Sequence, residues 1–532
     1  MPRPTASELL TATRRNRFLN VDRTASPKRF SFGHRTSSYA IMGWTRSDAA
    51  GRLRAATERR LGIDTRALSA FRIAAAFLLL ADLLLRARDM TAFYTDAGVF
   101  PRAALAESFP TLSRLSLHAV SGSLWVQAVL FGIAFGFAVL LLVGYRTRLV
   151  AAVSWLLLAS LQARNYFVLN GGDTVLLVVL FIALFLPLGE RWSLDALAAD
   201  RTDADHTKRV TDFATVAILT QVVLVYTTNA AFKLQGGHWL DGTAVRHVFE
   251  LERFTVFLGE YLAAFPRLLV AINWLWLTML VAAPLLFVLT GWLRALTVAV
   301  FAAAHTGMLL TMSLGLFPLV MMACLLLFLP PCVWNSLESR VAVTETEIVS
   351  RTPGFAVDYS PLLPHSARRA ISRAVPAVTA TILVVGLLWQ AAAVGIVATP
   401  QESSVNPEEQ SWKLFAPGPP ETDGWYVVPA ELESGERVHV YPHSDTGWNR
   451  PDDIGDTYPN ARWRKYLTRM RLGGETQQRY FAAYLCSNAA DSHGENIAEL
   501  TIYYVSEPVT LDADEPQRTR RSLGTYQCPV DG

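Results

Sequence analysis

Lys233, His238, Trp239 and Asp241 fall within one stretch, Tyr226 to Val245 (YTTNAAFKLQGGHWLDGTAV), where an apolar segment runs out into a lysine, a glycine pair and then polar groups. Lysine is costly at the edge of hydrocarbon, and one held partly out of water there can act as a base near neutral pH. The competing use is structural, with the ammonium snorkelling to the lipid headgroups. Asn229 lies four residues before Lys233, hence on the same helix face. Asp82 and Arg86 have the i, i+4 spacing of an ion pair at a helix end. Asp173 follows Gly171 and Gly172 and suits a helix N-cap. His305, inside an apolar run, is either a satisfied interior histidine or a proton carrier.

Other chemistries lack their residues. The chain has no Walker loop, dinucleotide glycine fingerprint, HExxH or CxxC pair, so nucleotide, zinc-protease and thioredoxin-type activities have no support and no metal is expected. The glycine pairs at 171 and 236 are too short to cradle phosphate, and no serine and histidine share a nucleophile-elbow setting.

The elements that must position these residues are membrane helices. Of 532 residues, 52% are hydrophobic and 17% charged, and mean hydropathy is positive, which is too apolar for an ordinary soluble chain. The formal charge of +3 gives no reason to expect a nucleic-acid partner. Residues 1–62 form a basic, cytoplasmic segment (Arg14, Arg15, Arg17, Arg52, Arg54, Arg59, Arg60) without the apolar core of a signal peptide, and Met42 is a second candidate start. About nine apolar segments of near-spanning length follow, centred near Ala76, Phe135, Leu157, Leu180, Val222, Leu280, Ala303, Met322 and Gly386. All but the last lie in a bundle over 63–335. A cytoplasmic connection, 336–375, leads to the last helix, 376–398.

With the N-terminus inside, an odd number of spans puts the C-terminus outside the cell membrane. The connections at Arg146 and Arg148, at Lys208 and Arg209, and at Arg368, Arg369 and Arg373 then fall inside. Arg86, Arg88, Arg102 and Arg114 come out on the outer side and need local partners. The same topology gathers Asp82, Arg86, Asp173, Asn229, Lys233, Asn273 and His305 towards the outer face, which predicts one cavity opening there. From 399 to 532 the composition turns polar, predicting an extracytoplasmic α+β domain of about 130 residues. Its strands are expected at 424–432, 437–441 and 497–505, and its helices at 461–472 and 480–485. Trp412, Phe415, Pro417, Pro419 and Trp425 suit either packing that domain onto the bundle or gripping an extended peptide. Cys486 and Cys528 can form a disulfide only if this domain is exported. The fold expected is an α-helical polytopic membrane bundle, embedded in the lipid bilayer, with a C-terminal extramembrane α+β domain.

Four stretches carry a resemblance: Ala92 to Pro101 (AFYTDAGVFP), Asn165 to Asp173 (NYFVLNGGD), Phe232 to Gly242 (FKLQGGHWLDG) and His305 to Phe317 (HTGMLLTMSLGLF). They make the bundle resemble the horizontally transferred transmembrane (HTTM) domain, the membrane part of vitamin K-dependent gamma-carboxylase. The resemblance implies a carboxylase, a lyase that uses reduced quinone of the vitamin K or menaquinone type on a glutamate of a secreted peptide or protein. Lys233 would be the base, His305 would match the family's histidine, and Trp239, Leu240, Asp241 and Gly242 complete the lysine's setting. Carboxylation would be driven by the cofactor, with the protein orienting the reactants and excluding water. The chain departs from the family's Asn-His-Tyr sequence, carrying Arg164, Asn165 and Tyr166 instead. The resemblance also allows a non-carboxylating member similar to SdpB-type proteins, which assist peptide maturation or export. There, Lys233 and Asp241 would pair as a structural ion pair.

Overall fold

The computed structural model describes residues 46–198, 209–345, 364–397, 412–441, 447–511 and 517–528. Met42, Lys208, most of the basic N-terminal segment and residues 346–363 of the 336–375 connection lie outside these. The chain divides into two units, Met1–Arg52 and Leu53–Gly532. The described part of the first begins a helix, Arg46–Leu61. The second holds the bundle and the sheet.

Every predicted apolar segment falls on a helix, but among the described residues five helices rather than nine are long and apolar enough to cross a membrane. Those five are α1 (Thr65–Ala87), α2 (Leu124–Val143), α5 (Phe213–Lys233), α7 (Gly291–Thr311) and the Arg369–Ala393 part of α10 (His365–Ala393). Between them lie α3 (Thr147–Arg164), α4 (Gly171–Ala183), α6 (Pro266–Val281), α8 (Phe317–Leu325) and α9 (Pro331–Glu345). For α4 and α6 the shortfall is one of length. The 13 residues of α4 rise only about 20 Å, against a hydrocarbon core of roughly 30 Å. Beyond a short 3-10 turn, α8 breaks at Leu329 and Pro330 into α9 with a bend of 97°, so the pair is one broken span or a re-entrant loop.

Local sequence sets several of these ends. Asp64 caps α1 by accepting from the Arg66 amide, and on α4 the N-cap is Asn170 rather than the expected Asp173, which sits at N3 and completes a capping box by accepting from the Asn170 amide. Gly144 ends α2 at φ +70°, where a Cβ would lie 2.3 Å from Ser193 Cβ, so only glycine fits. Arg72, in the N-terminal half of α1, is buried and donates to the carbonyls of Leu188, Arg191 and Trp192. A two-residue ribbon, β1 (Ile63–Asp64) with β2 (Arg209–Val210), ties the start of α1 to the approach to α5.

The bundle core packs Ala75, Val179, Ile218, Val222 and Met321 from α1, α4, α5 and α8. In α2 and α10, by contrast, only 22% and 6% of the apolar window is buried, as for helices that present most of their surface to lipid. The C-terminal part is a four-stranded antiparallel sheet, order β4-β3-β5-β6, of β3 (Thr422–Leu432), β4 (Arg437–Tyr441), β5 (Ile497–Pro508) and β6 (Thr519–Gln527). With it pack α11 (Ala461–Leu472) and α12 (Glu475–His493). Cys486 of α12 is bonded to Cys528 just after β6, with Cα atoms 5.7 Å apart. A second core joins this domain to the bundle through Phe93, Phe167, Trp463 and Tyr466.

Candidate functional site

Asn229 and Lys233, one turn apart on α5, both reach a strap formed by residues 412–421, which leads into β3. Asn229 Nδ2 donates to the carbonyls of Trp412 (2.9 Å) and Leu414 (3.2 Å). Lys233 Nζ donates to Leu414 O (3.0 Å) and Phe415 O (3.3 Å), and Trp239 Nε1 donates to Phe415 O at 2.8 Å. Nζ also sits 3.2 Å from the centroid of a Trp239 ring, the geometry of a cation–π contact when the amine is protonated. Lys233 is 1% exposed. It is not paired with Asp241, which is exposed on the helical turn after the glycine pair. That ion pair is replaced by the strap because the turn at Gly236 carries the acid away while the carbonyls come within reach. The strap lies so close that a Cβ at Gly236 would be 1.7 Å from Pro417 O. His238 meets Thr243 Oγ1 at 3.2 Å and stacks near His247, with Glu421 4.0 Å away.

Behind the strap is a cavity of about 660 Å³, the size of a drug-sized ligand site. Asn229, Lys233 and Trp239 line it, with Phe249, Phe254 and Trp276 supplying aromatic walls. Its long sides come from α6 (Leu275, Met279) and α7 (Val300, Ala303, Gly307), and α11 closes one end with Arg464 and Lys465. Burial, with Arg469 and Arg464 nearby, pushes the Lys465 ammonium down to about 8. Burial, with Arg253 nearby, lowers Arg464 to about 10.

The residues expected in one cavity separate into four groups, one of them Asn273 alone, which is buried, accepts from the Val245 amide and donates to the Trp239 carbonyl. Only Asn229 and Lys233 reach the cavity wall. Asp82, Arg86 and Asp173 instead form a buried ion network: Arg86 bonds Asp82 (2.8 Å), Asp173 (2.6 Å) and Tyr94 Oη (2.6 Å), while Arg462 from α11 bonds Asp82 and approaches Asp173 at 3.5 Å. This is the local reason for Arg86, and Arg102 has its own in Asp96 at 2.7 Å. His305 is fully buried and bonds Tyr226 Oη through Nε2 at 2.9 Å. Trp276 and Phe317, which line the cavity, pack against its ring and stand between it and Lys233's chamber. Its Nδ1 has no hydrogen-bond partner. Arg164 and Asn165, at the departure from the family pattern, are buried and donate to the carbonyls of Phe100 and Phe93, a structural use. Among the described residues no three His, Cys, Asp or Glu side chains form a metal-ligand set.

The HTTM domain model matches residues 61–334. The chain belongs to the HTTM domain family. Its HTTM part therefore contains Asn229, Lys233, Trp239 and His305, whereas the strap and α11 lie beyond it. The chain is also similar to uncharacterized protein YitO of Bacillus subtilis (strain 168), 27% identical over 238 residues, which is 42% of this chain and 74% of that protein. No solved structure matches it. The sequence predicts the helix at 461–472 but does not mark it as part of a site. The available signal was its charge, since ARWRKYLTRMRL holds Arg462, Arg464, Lys465, Arg469 and Arg471 and no acid.

Proposed function

We propose that this HTTM membrane protein is a carboxylase-like, quinol-dependent enzyme of the cell membrane, with its N-terminus cytoplasmic and its sheet domain outside. The observation that carries the reading is the apolar, aromatic-walled cavity of about 660 Å³ with a buried lysine in its wall. The residues fit a reduced quinone of the vitamin K or menaquinone type: Trp239, Phe249 and Phe254 offer ring faces, and α6 and α7 offer apolar length for a tail. When bound, such a quinol supplies reducing power and, with oxygen, the strong base that carboxylation of a peptidyl glutamate requires. Lys233 enters the cycle neutral and takes the proton at Nζ, with Leu414 O and Phe415 O placed to accept from the ammonium that forms. Asn229 keeps the strap in place meanwhile. The aromatic walls exclude water.

A second reading has an observation of its own. The contacts of Lys233 are also those of a fastening, and in that reading the protein is a non-carboxylating HTTM member that assists maturation or export of a secreted peptide. Incubation with reduced quinone, a glutamate-containing peptide and labelled bicarbonate separates them. Label incorporated by the wild type and lost in Lys233→Ala supports the enzyme. Background label in both, with both folded, leaves the second reading.

A further inference from the structure

The chamber carries charge of one sign. Among the described residues its lining includes Lys233, Lys413, Arg464 and Lys465 and no aspartate or glutamate. Lys233 is held by the strap, Arg464 donates to the carbonyls of Arg253 and Ser313, and Lys413 lies over the Phe232 ring. Among the described residues Lys465 has neither a hydrogen bond nor an ion pair, although it is half-buried; burial, Arg469 and Arg464 lower it to about 8 against the opposing pull of Asp173. An unpaired ammonium on an apolar cavity is a costly arrangement that an anion relieves. At the other end the wall is open. Leu275 of α6 and Val300 of α7 line the cavity yet are 57% and 41% exposed, and Ala303 and Gly307 are exposed beside them. That slot lies along α7, which is of membrane-spanning length, so hydrocarbon is what it meets.

We propose that Lys465 binds the anionic head group, carboxylate or phosphate, of a membrane-borne amphiphile whose tail leaves the chamber between α6 and α7. The cavity of about 660 Å³ admits one such molecule. The proposal rests on the chamber being a ligand site, as in the reading above, but needs neither quinol chemistry nor Lys233 as a base. The cation concerned comes from α11, outside the HTTM match.

Full-length purified protein has its own reporters in Trp239 and Trp276 on the chamber wall. Dibromostearate, the matching brominated lysophosphatidate and the uncharged brominated alcohol are the probes. Saturable quenching by at least one acid, weakened at least roughly tenfold in Lys465→Met and regained in Lys465→Arg, is the expected result. Binding of the carboxylate alone, the phosphate alone or both supports the proposal and names the head group. Equal binding of the alcohol, no binding of either acid, or an unchanged affinity in Lys465→Met overturns it. Should Lys465→Met not fold, Ala303→Phe blocks the tail route while leaving Lys465 in place, and wild-type affinity there overturns the proposal too. Acid binding without label incorporation sinks the enzymatic reading alone. Incorporation with Lys465→Met indistinguishable from wild type in binding sinks this one alone.

Discussion

Lys233 makes two carbonyl contacts and one indole contact, so its loss is first felt in the strap. Lys233→Met retains the apolar stem but leaves Leu414 O and Phe415 O short of a donor. A loss of about 1–3 kcal/mol is expected, read as a lower unfolding midpoint and faster proteolysis between residues 412 and 421. The buried network answers differently. Arg462→Met strands Asp82 and Asp173 on a single guanidinium, and roughly 3–5 kcal/mol should be lost. Adding Asp82→Asn should restore part of it, and a double mutant no better than the single would show that the two do not share a network. His118, buried in the loop before α2, has Nδ1 2.9 Å from Gln127 Oε1. Burial pushes its imidazole down to about 4, with Arg164 and Arg86 acting the same way and the Gln127 bond opposing. A folded value below the unfolded value of about 6.5 means that unfolding takes up a proton between the two. Stability from the neutral ring is therefore full above about pH 6.5 and lost as pH falls through 4, by up to roughly 3 kcal/mol. Unfolding midpoints across that window should flatten in His118→Gln.

At the scale of elements, α11 is the piece that both closes the chamber and supplies Arg462. Its N-cap is Asn460, whose side chain accepts from the amides of Arg462 and Trp463. Asn460→Ala should cost about 1 kcal/mol, and hydrogen exchange should show it as loosened amides at 461–464 before any change in the bundle. This element also shows how far sequence reaches. The bounds of α11, the hairpin of β3 and β4 and the whole of α5 follow local pattern, because periodicity and capping residues act over a few positions. β6 did not show itself: TRRSLGTYQ is largely exposed and has little apolar alternation to read. The span count failed for a related reason, since α4 and α6 are as apolar as spanning helices but shorter, and apolarity alone does not measure length. In the site, the Asn229 and Lys233 face was legible from spacing. Their partners were not, because the strap begins nearly 180 residues later and contacts them through backbone carbonyls, which no side-chain pattern announces.

At the scale of the molecule, the Cys486–Cys528 bridge closes a loop with a sequence separation of 42, worth about 4 kcal/mol if chain entropy is the whole effect. Reduction should shift mobility on non-reducing electrophoresis and lower the sheet domain's unfolding midpoint. A bond of this kind persists on the oxidising side of a membrane, which agrees with the outward placement proposed for the domain. The arginine that completes the Asp82–Asp173 network has a consequence for biogenesis. During synthesis the first and fourth helices of the bundle are made hundreds of residues before position 462 leaves the ribosome, and until then two carboxylates share Arg86. The hydrocarbon-embedded half of this protein thus completes its ion network only when its own C-terminal helix docks.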